Sequence, residues 1–313
     1  HFLNASKRLM GLNYESKFGG LIGLQYRGRT VMVSTSHVSI EPTVMTTAMD
    51  DANVKKIAAD LRKKHEGKLI LAGVDVAQKL SGIPLKFLAF EKLMDDYPVY
   101  QRKVVLVQRC FVPQNRKGDE KQTLIDVHRI VERIKSKFGR ACIDYEEVVA
   151  SELPIPQRVG LWLAADVFFT SAIREGLNLS PLEYVYCKGM STPGVVVCSE
   201  FSAACNILNG ALRINPFDVQ QTSAVLDMAL KMDISEKETR RGRDLDFVST
   251  RTASKWSKHV LRDLREAVDA SSKEDGSNVV SDGELMKLPH VNQGNVLTAY
   301  NATESRVIIC DYG

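Results

Sequence analysis

Five short apolar runs, each divided from the next by a longer polar or amphipathic block, restrict the fold of this chain more than any other feature. They are "KLILAG" (68–73), "KVVLVQR" (103–109), "DVFFTSA" (166–172), "GVVVCS" (194–199) and "GALRIN" (210–215). Each is continuous rather than alternating, the pattern of strands covered on both faces. The clearest intervening block, 119–138, sets Leu124, Val127, Val131, Ile134 and Phe138 on one helical stripe and is followed by Gly139 as a C-cap. Strands alternating with helices of this length predict an α/β architecture with a parallel, doubly wound sheet.

The bulk numbers exclude more than they identify. The 313 residues suffice for one large core or two smaller ones. A net charge of +4 spread along the chain gives no reason to expect nucleic acid or a membrane surface as partner. The longest apolar stretch, "VGLWLAADVFFTSAI", is interrupted by Asp166 and is too short to span a bilayer. Six cysteines without a C-x-x-C pair read as buried free thiols in a reducing, cytoplasmic compartment. The carboxylate pairs Asp50-Asp51, Asp95-Asp96 and Asp244/Asp246 read as solvated charges, and the histidines are scattered, so no metal is expected. His1 is not a start and no signal peptide follows it, so the chain reads as a cytosolic fragment of something longer.

Residues 1–45 differ from the rest, with a helix (His1 to Leu12) and then a hairpin-like segment, and read as the end of a preceding domain. The α/β block occupies 46–268 and closes on a helix over 250–268. A polar, Gly/Ser-rich linker follows over 269–303, and 304–313 holds a lone apolar strand, "SRVIICDYG", ending on an aspartate.

In an open parallel sheet, ligands sit where strands end and helices begin. Three corners qualify. At "SAIREGLNLSPLEYV", Gly176 lets a ligand approach the backbone, and the amides of Leu177, Asn178 and Leu179 can face a phosphate. Glu183 admits two roles there. It completes a capping box with Ser180 as N-cap and Pro181 at N1, or it is a carboxylate that accepts a ribose diol. The second corner, "LAGVDVAQKLSGIP", offers one cation, Lys79. The third supplies Ser199 and Glu200, the latter a sugar-hydroxyl acceptor or a helix N-terminal charge.

"GVDVAQKLSGIPLKFLAFEKLM", "KVVLVQ", "AADVFFTSAIREGLNLSPLEYV", "VVVCSEFSAACNILNGALRINPFD" and "DLDFVSTRTASKWSKHVLRDL" together resemble the trehalose-6-phosphate synthases, glycosyltransferase family 20. The likeness runs in order over about residues 1–268 and is strongest to the plant-type proteins, in which a synthase-like module precedes a phosphatase of haloacid-dehalogenase type. The resemblance implies a GT-B fold, two Rossmann-like domains facing a cleft, with 1–45 ending the N-terminal domain and 46–268 forming the donor domain for UDP-glucose. It implies that Gly176, Leu177, Asn178 and Leu179 face the diphosphate and sugar, that Glu175 contacts glucose, that Glu183 takes the ribose, and that no metal takes part. It makes 304–313 the first strand of a truncated phosphatase-like domain, with Gly313 where the second aspartate of its motif would stand.

Two departures matter. The family's diphosphate-binding Arg and Lys fall on Val76 and Ser81. Losing one such group costs about 3–4 kcal/mol of barrier, two to three powers of ten in rate. The resemblance therefore implies a module that binds UDP-glucose or UDP but is impaired in catalysis unless Lys79 swings in, and that regulates through protein partners, other trehalose-synthase subunits or an attached phosphatase. The alternative is an active retaining transferase moving glucose to glucose 6-phosphate, whose acceptor pocket would lie upstream of His1.

Overall fold

The computed structural model describes residues 2–16, 21–27, 29–112, 119–149 and 153–275. The expected strand at 304–313, and the linker beyond 275, lie outside these. The chain divides into two compact units, one formed by His1–His37 with the chain from Lys255 onward, the other by Val38–Ser254.

In the first unit, α1 (Phe2–Met10) precedes a three-stranded antiparallel sheet of β1 (Tyr14–Ser16), β2 (Ile22–Tyr26) and β3 (Arg29–Val33). β2 is central, with Ile22 opposite Val33 and Leu24 opposite Tyr14. This is the segment read from sequence as a helix and hairpin.

The second unit begins with α2 (Pro42–Asp50) and α3 (Ala52–Lys64). It continues as β4 (Leu69–Val76), α4 (Ile83–Asp96), β5 (Val104–Phe111), α5 (Glu120–Phe138), β6 (Ile143–Val148), α6 (Ile155–Ala164) and β7 (Val167–Phe169). It closes with α7 (Ser180–Gly189), β8 (Val195–Ser199), α8 (Ala203–Ile207), β9 (Leu212–Ile214), α9 (Val219–Lys231) and α10 (Ile234–Thr250). Its six strands are all parallel in the order β6-β5-β4-β7-β8-β9. The chain builds outward from β4 in one direction and then from β7 in the other, so the topological switch lies between those two strands.

The continuous apolar runs follow from this arrangement. Successive strand residues point to opposite faces. Leu71, Leu106, Phe169 and Val197 meet Phe87, Phe90, Val131, Ile134 and Leu226 from α4, α5 and α9. Their neighbours Ile70, Val105, Val107, Phe168 and Val196 meet Met45, Val54, Val159, Trp162, Leu182 and Val248 from the helices on the other face. With both faces covered, no strand position inside the sheet can be polar without a buried partner. β6 escaped detection because it is an edge strand. In "IDYEEV" only Ile143 is buried, so it shows no apolar run.

The stripe on α5 packs as its spacing predicts, with Val127, Val131 and Ile134 buried and Leu124 and Phe138 at the margin. Gly139 follows at φ +94°, a conformation L side chains rarely adopt. The helix expected over 250–268 is present as a single helix that starts three residues later, at Ala253, and runs on to Asp275. α10 ends at Thr250, and α11 (Ala253–Asp275) starts where Glu41 Oε2 accepts from Ser254 N at 3.0 Å and Ser254 Oγ at 2.7 Å. Beyond Ser254, α11 belongs to the first unit, where Asp263 Oδ2 accepts from Ser34 Oγ at 2.7 Å.

Candidate functional site

Past the last strand residue of β7 the chain continues as an extended segment between the other two corners. Thr170 N donates to Val197 O at 3.0 Å. Ile173 N and Arg174 N both donate to Leu80 O, at 2.8 and 3.3 Å, and Glu175 N donates to Phe201 O at 3.3 Å. The corners after β4, β7 and β8 thus meet at the switch point.

The corner after β7 leaves its amides open. Among the described residues, the N–H groups of Gly176, Leu177, Asn178 and Leu179 find no acceptor, while Gly176 is exposed and the other three are half-buried. Leu177 and Leu179 rest their side chains on the core, so a ligand meets these residues by their backbone. Consecutive free amides at the start of a helix form a concavity suited to an anion.

Asn178 caps the helix. Its Oδ1 accepts Ser180 N at 2.9 Å, and its Nδ2 donates to Glu175 Oε1 at 3.1 Å. Ser202 Oγ donates to Glu175 Oε2 at 2.8 Å. The Glu175 carboxyl is pushed up to about 7, first by desolvation and then by the nearby Asp75 charge, against the opposing effects of Ser202, Asn178 and Lys86. A group protonated more readily in the folded than the unfolded chain loses stability as pH rises from its ordinary value to its folded one. The thermal midpoint of the wild type relative to Glu175→Gln should therefore fall between about pH 4.5 and 7 and stay level above pH 8. A flat difference across that range would assign Glu175 an ordinary titration.

The capping box expected at Ser180 does not form. Ser180 is the first helical residue, not the cap, and Glu183 turns away from it. Arg158 on α6 donates to Glu183 through Nε at 2.6 Å and Nη2 at 2.9 Å, and Trp162 Nε1 donates to the same carboxylate at 3.1 Å. Arg158 Nη1 also donates to Leu153 O at 2.8 Å. Beside this pair opens a pocket of about 200 Å³ with Val74, Phe111, Leu153 and Leu179 as apolar walls and Ser180 at its rim.

The corner after β4 bears no positive charge at its expected positions. Val76 is half-buried against the core, and Ser81 is buried in a tight turn over Lys79–Ser81. Gly82 follows at φ +65°, and a Cβ there would lie 2.1 Å from Ser171 O, so only glycine allows the two corners to touch. Lys79 is exposed and its side chain has no partner among the described residues; its N–H donates to Asp119 Oδ2 at 2.7 Å. Arg174, adjoining the same Leu80 carbonyl, is also exposed with an unpartnered side chain among the described residues. It was overlooked in the sequence because it belongs to the β7 corner, and only folding brings it to the turn holding Lys79.

Below these corners Lys86 is fully buried. It is paired with Asp75, and Gln108 bridges them, accepting Lys86 Nζ at 3.1 Å and donating to Asp75 Oδ2 at 2.8 Å. At the third corner Ser199 Oγ donates to Ala172 O at 2.6 Å. Glu200 is exposed and precedes the cap of α8, so it is not an N-terminal charge of that helix. The five described cysteines are free and buried. No described helix is long and apolar enough to cross a membrane.

A parallel sheet in this strand order, with helices on both faces and open amides at its switch point, defines a module of Rossmann-like fold. Residues 1–266 match the profile of Glycosyltransferase family 20. The chain belongs to that family. It is 30% identical over its whole length to Alpha,alpha-trehalose-phosphate synthase [UDP-forming] 6 of Arabidopsis thaliana, of which it spans 39%. Two solved structures share the GT-B fold. A protein described as trehalose-6-phosphate from E. coli bound with UDP-2-fluoro glucose aligns with TM-score 0.76 and 23% identity, over 84% of this chain and 57% of the other. An alpha,alpha-trehalose-phosphate synthase (UDP-forming) from Burkholderia xenovorans, in complex with glucose-6-phosphate, aligns with TM-score 0.75 and 22% identity, over 81% and 56%. The chain therefore spans about two fifths of that plant relative and just over half of each solved chain.

Proposed function

We propose that this chain is the donor-binding module of a trehalose-phosphate-synthase-like protein, that it takes UDP or UDP-glucose at the switch-point crevice, and that it is impaired in transferring the sugar. The observation carrying this reading is a mismatch within one site. The four open amides from Gly176 to Leu179 suit a diphosphate, while Val76 and Ser81 offer nothing to neutralise a departing one. Glu175, with one donor on each oxygen, keeps a further acceptor position on each for sugar hydroxyls. No metal is required by this reading. The buried free thiols fit a reducing, cytoplasmic setting, and regulation would proceed through protein partners or other synthase subunits.

Calorimetry on the full-length parent with UDP and UDP-glucose, beside a transfer assay with glucose 6-phosphate, tests it. Micromolar to submillimolar binding without transfer is the expected result; transfer at an ordinary enzymatic rate, about 1–10³ per second, overturns it. The second reading, an active retaining transferase, draws on the exposed Lys79 and Arg174 as substitute cations, the Arg174 backbone being tied to the turn that holds Lys79 through Leu80 O. Under that reading Arg174→Ala abolishes a transfer activity that the wild type possesses.

A further inference from the structure

The clamp on Glu183 points to a property that nucleotide binding alone does not require. Arg158 and Glu183 sit on neighbouring helices α6 and α7, and both line the pocket opening beside the helix start at Leu179 and Ser180. Glu183 is 6% exposed, and both of its carboxylate oxygens are engaged: Oε2 by Arg158 Nε and Trp162 Nε1, Oε1 by Arg158 Nη2. A carboxylate one turn into such a helix is suitably placed to accept the two hydroxyls of a ribose, one on each oxygen. Here the guanidinium, in fork-to-fork geometry, takes one position on each oxygen and Trp162 takes the second on Oε2, so the carboxylate cannot accept a diol with one hydroxyl on each oxygen.

We propose that Arg158 is the specificity-determining residue of this pocket: by occupying Glu183 it removes recognition of the ribose diol, so that the module binds a ribonucleotide and its 2′-deoxy counterpart alike. The inference rests on the reading that a uridine nucleotide enters this crevice. Exchange of the clamp for the diol is unfavourable because the charge-assisted pair would have to be broken for two bonds from neutral hydroxyls. Binding then depends on the open amides and the apolar walls, neither of which contacts the 2′ position in this scheme.

The test is calorimetry on the full-length parent with UDP and 2′-deoxy-UDP. The wild type should bind the two within about twofold of each other. Arg158→Leu frees Oε1 and one position on Oε2, the other staying with Trp162, and should make UDP the tighter ligand by roughly tenfold, since one hydrogen bond to a charged group is worth at least that factor. Adding Glu183→Gln to Arg158→Leu should reduce the preference again, because a neutral amide accepts more weakly and presents only one acceptor oxygen. Arg158→Lys retains a charge with single-point geometry, and serves where the leucine variant does not fold; its preference should lie between the two.

Trp162 emission gives a second readout. The indole donates to the clamped carboxylate, so UDP should leave its spectrum unchanged in the wild type and shift it in Arg158→Leu. A wild type that already prefers UDP by tenfold or more overturns the inference, as does a folded Arg158→Leu or Arg158→Lys variant that still binds both equally. Binding of neither nucleotide by any variant at millimolar concentration removes the nucleotide reading itself, and the inference with it. UDP binding with the wrong preference removes only the role of Arg158.

Discussion

Lys86→Met should lower the unfolding free energy by about 3–5 kcal/mol, the cost of breaking a buried ion pair by removing one partner. Lys86 is fully buried and the Asp75 side chain is 3% exposed, so water cannot take over the role of the missing ammonium. Gln108 would keep its bond to Asp75 but lose the donor to its own carbonyl oxygen. Two polar groups are then left short in a dry site. Denaturant unfolding should show a lower midpoint at constant slope. Lys86→Met combined with Asp75→Leu should recover much of the loss, because removing both charges leaves nothing uncompensated. A single variant within 1 kcal/mol of the wild type would show the pair to be solvated.

The same substitution carries a consequence for the site above it. Lys86 counters the effect of Asp75 on the Glu175 carboxyl. With the ammonium gone its lowering effect is lost, and Glu175 should titrate above its wild-type value. Such a shift would be a coupling through charge between the buried pair and Glu175, without any direct contact.

Val76→Arg with Ser81→Lys in the full-length parent should raise glucosyl transfer at least about hundredfold over the wild type. Each cation at a departing diphosphate is worth about 3–4 kcal/mol of barrier, two to three powers of ten. Val76 lies half-buried at the end of β4, where a longer side chain can extend past the strand. Ser81 is buried in the turn preceding Gly82, so its replacement costs more and the gain from Val76→Arg alone should be measured beside it. Initial rates with UDP-glucose and glucose 6-phosphate supply the comparison. A folded double variant that binds UDP and remains silent would show that charge at this turn does not limit the reaction.

The limits of sequence reading are visible in particular residues. Gly176 to Leu179 stood out because glycine and a following helix start are local signals, and the structure leaves their amides open. The Ser180–Glu183 box was equally local and failed. Asn178 takes the capping role, and Arg158, 25 residues before Glu183, takes the carboxylate. Arg174 went unnoticed because its importance depends on Leu80, which lies in another corner. β6 gave no signal because an edge strand needs few buried residues.

What the sequence determined by itself was the sheet and its layering. Continuous apolar runs of strand length are stable only where both faces are covered, and the hydrophobic effect enforces that choice residue by residue. What only the tertiary structure decided was which polar groups became partners. Hydrogen bonds and ion pairs act over a few ångströms, so the fates of Glu183, Lys86 and Arg174 depended on helices and turns far away in the chain but adjacent in the fold.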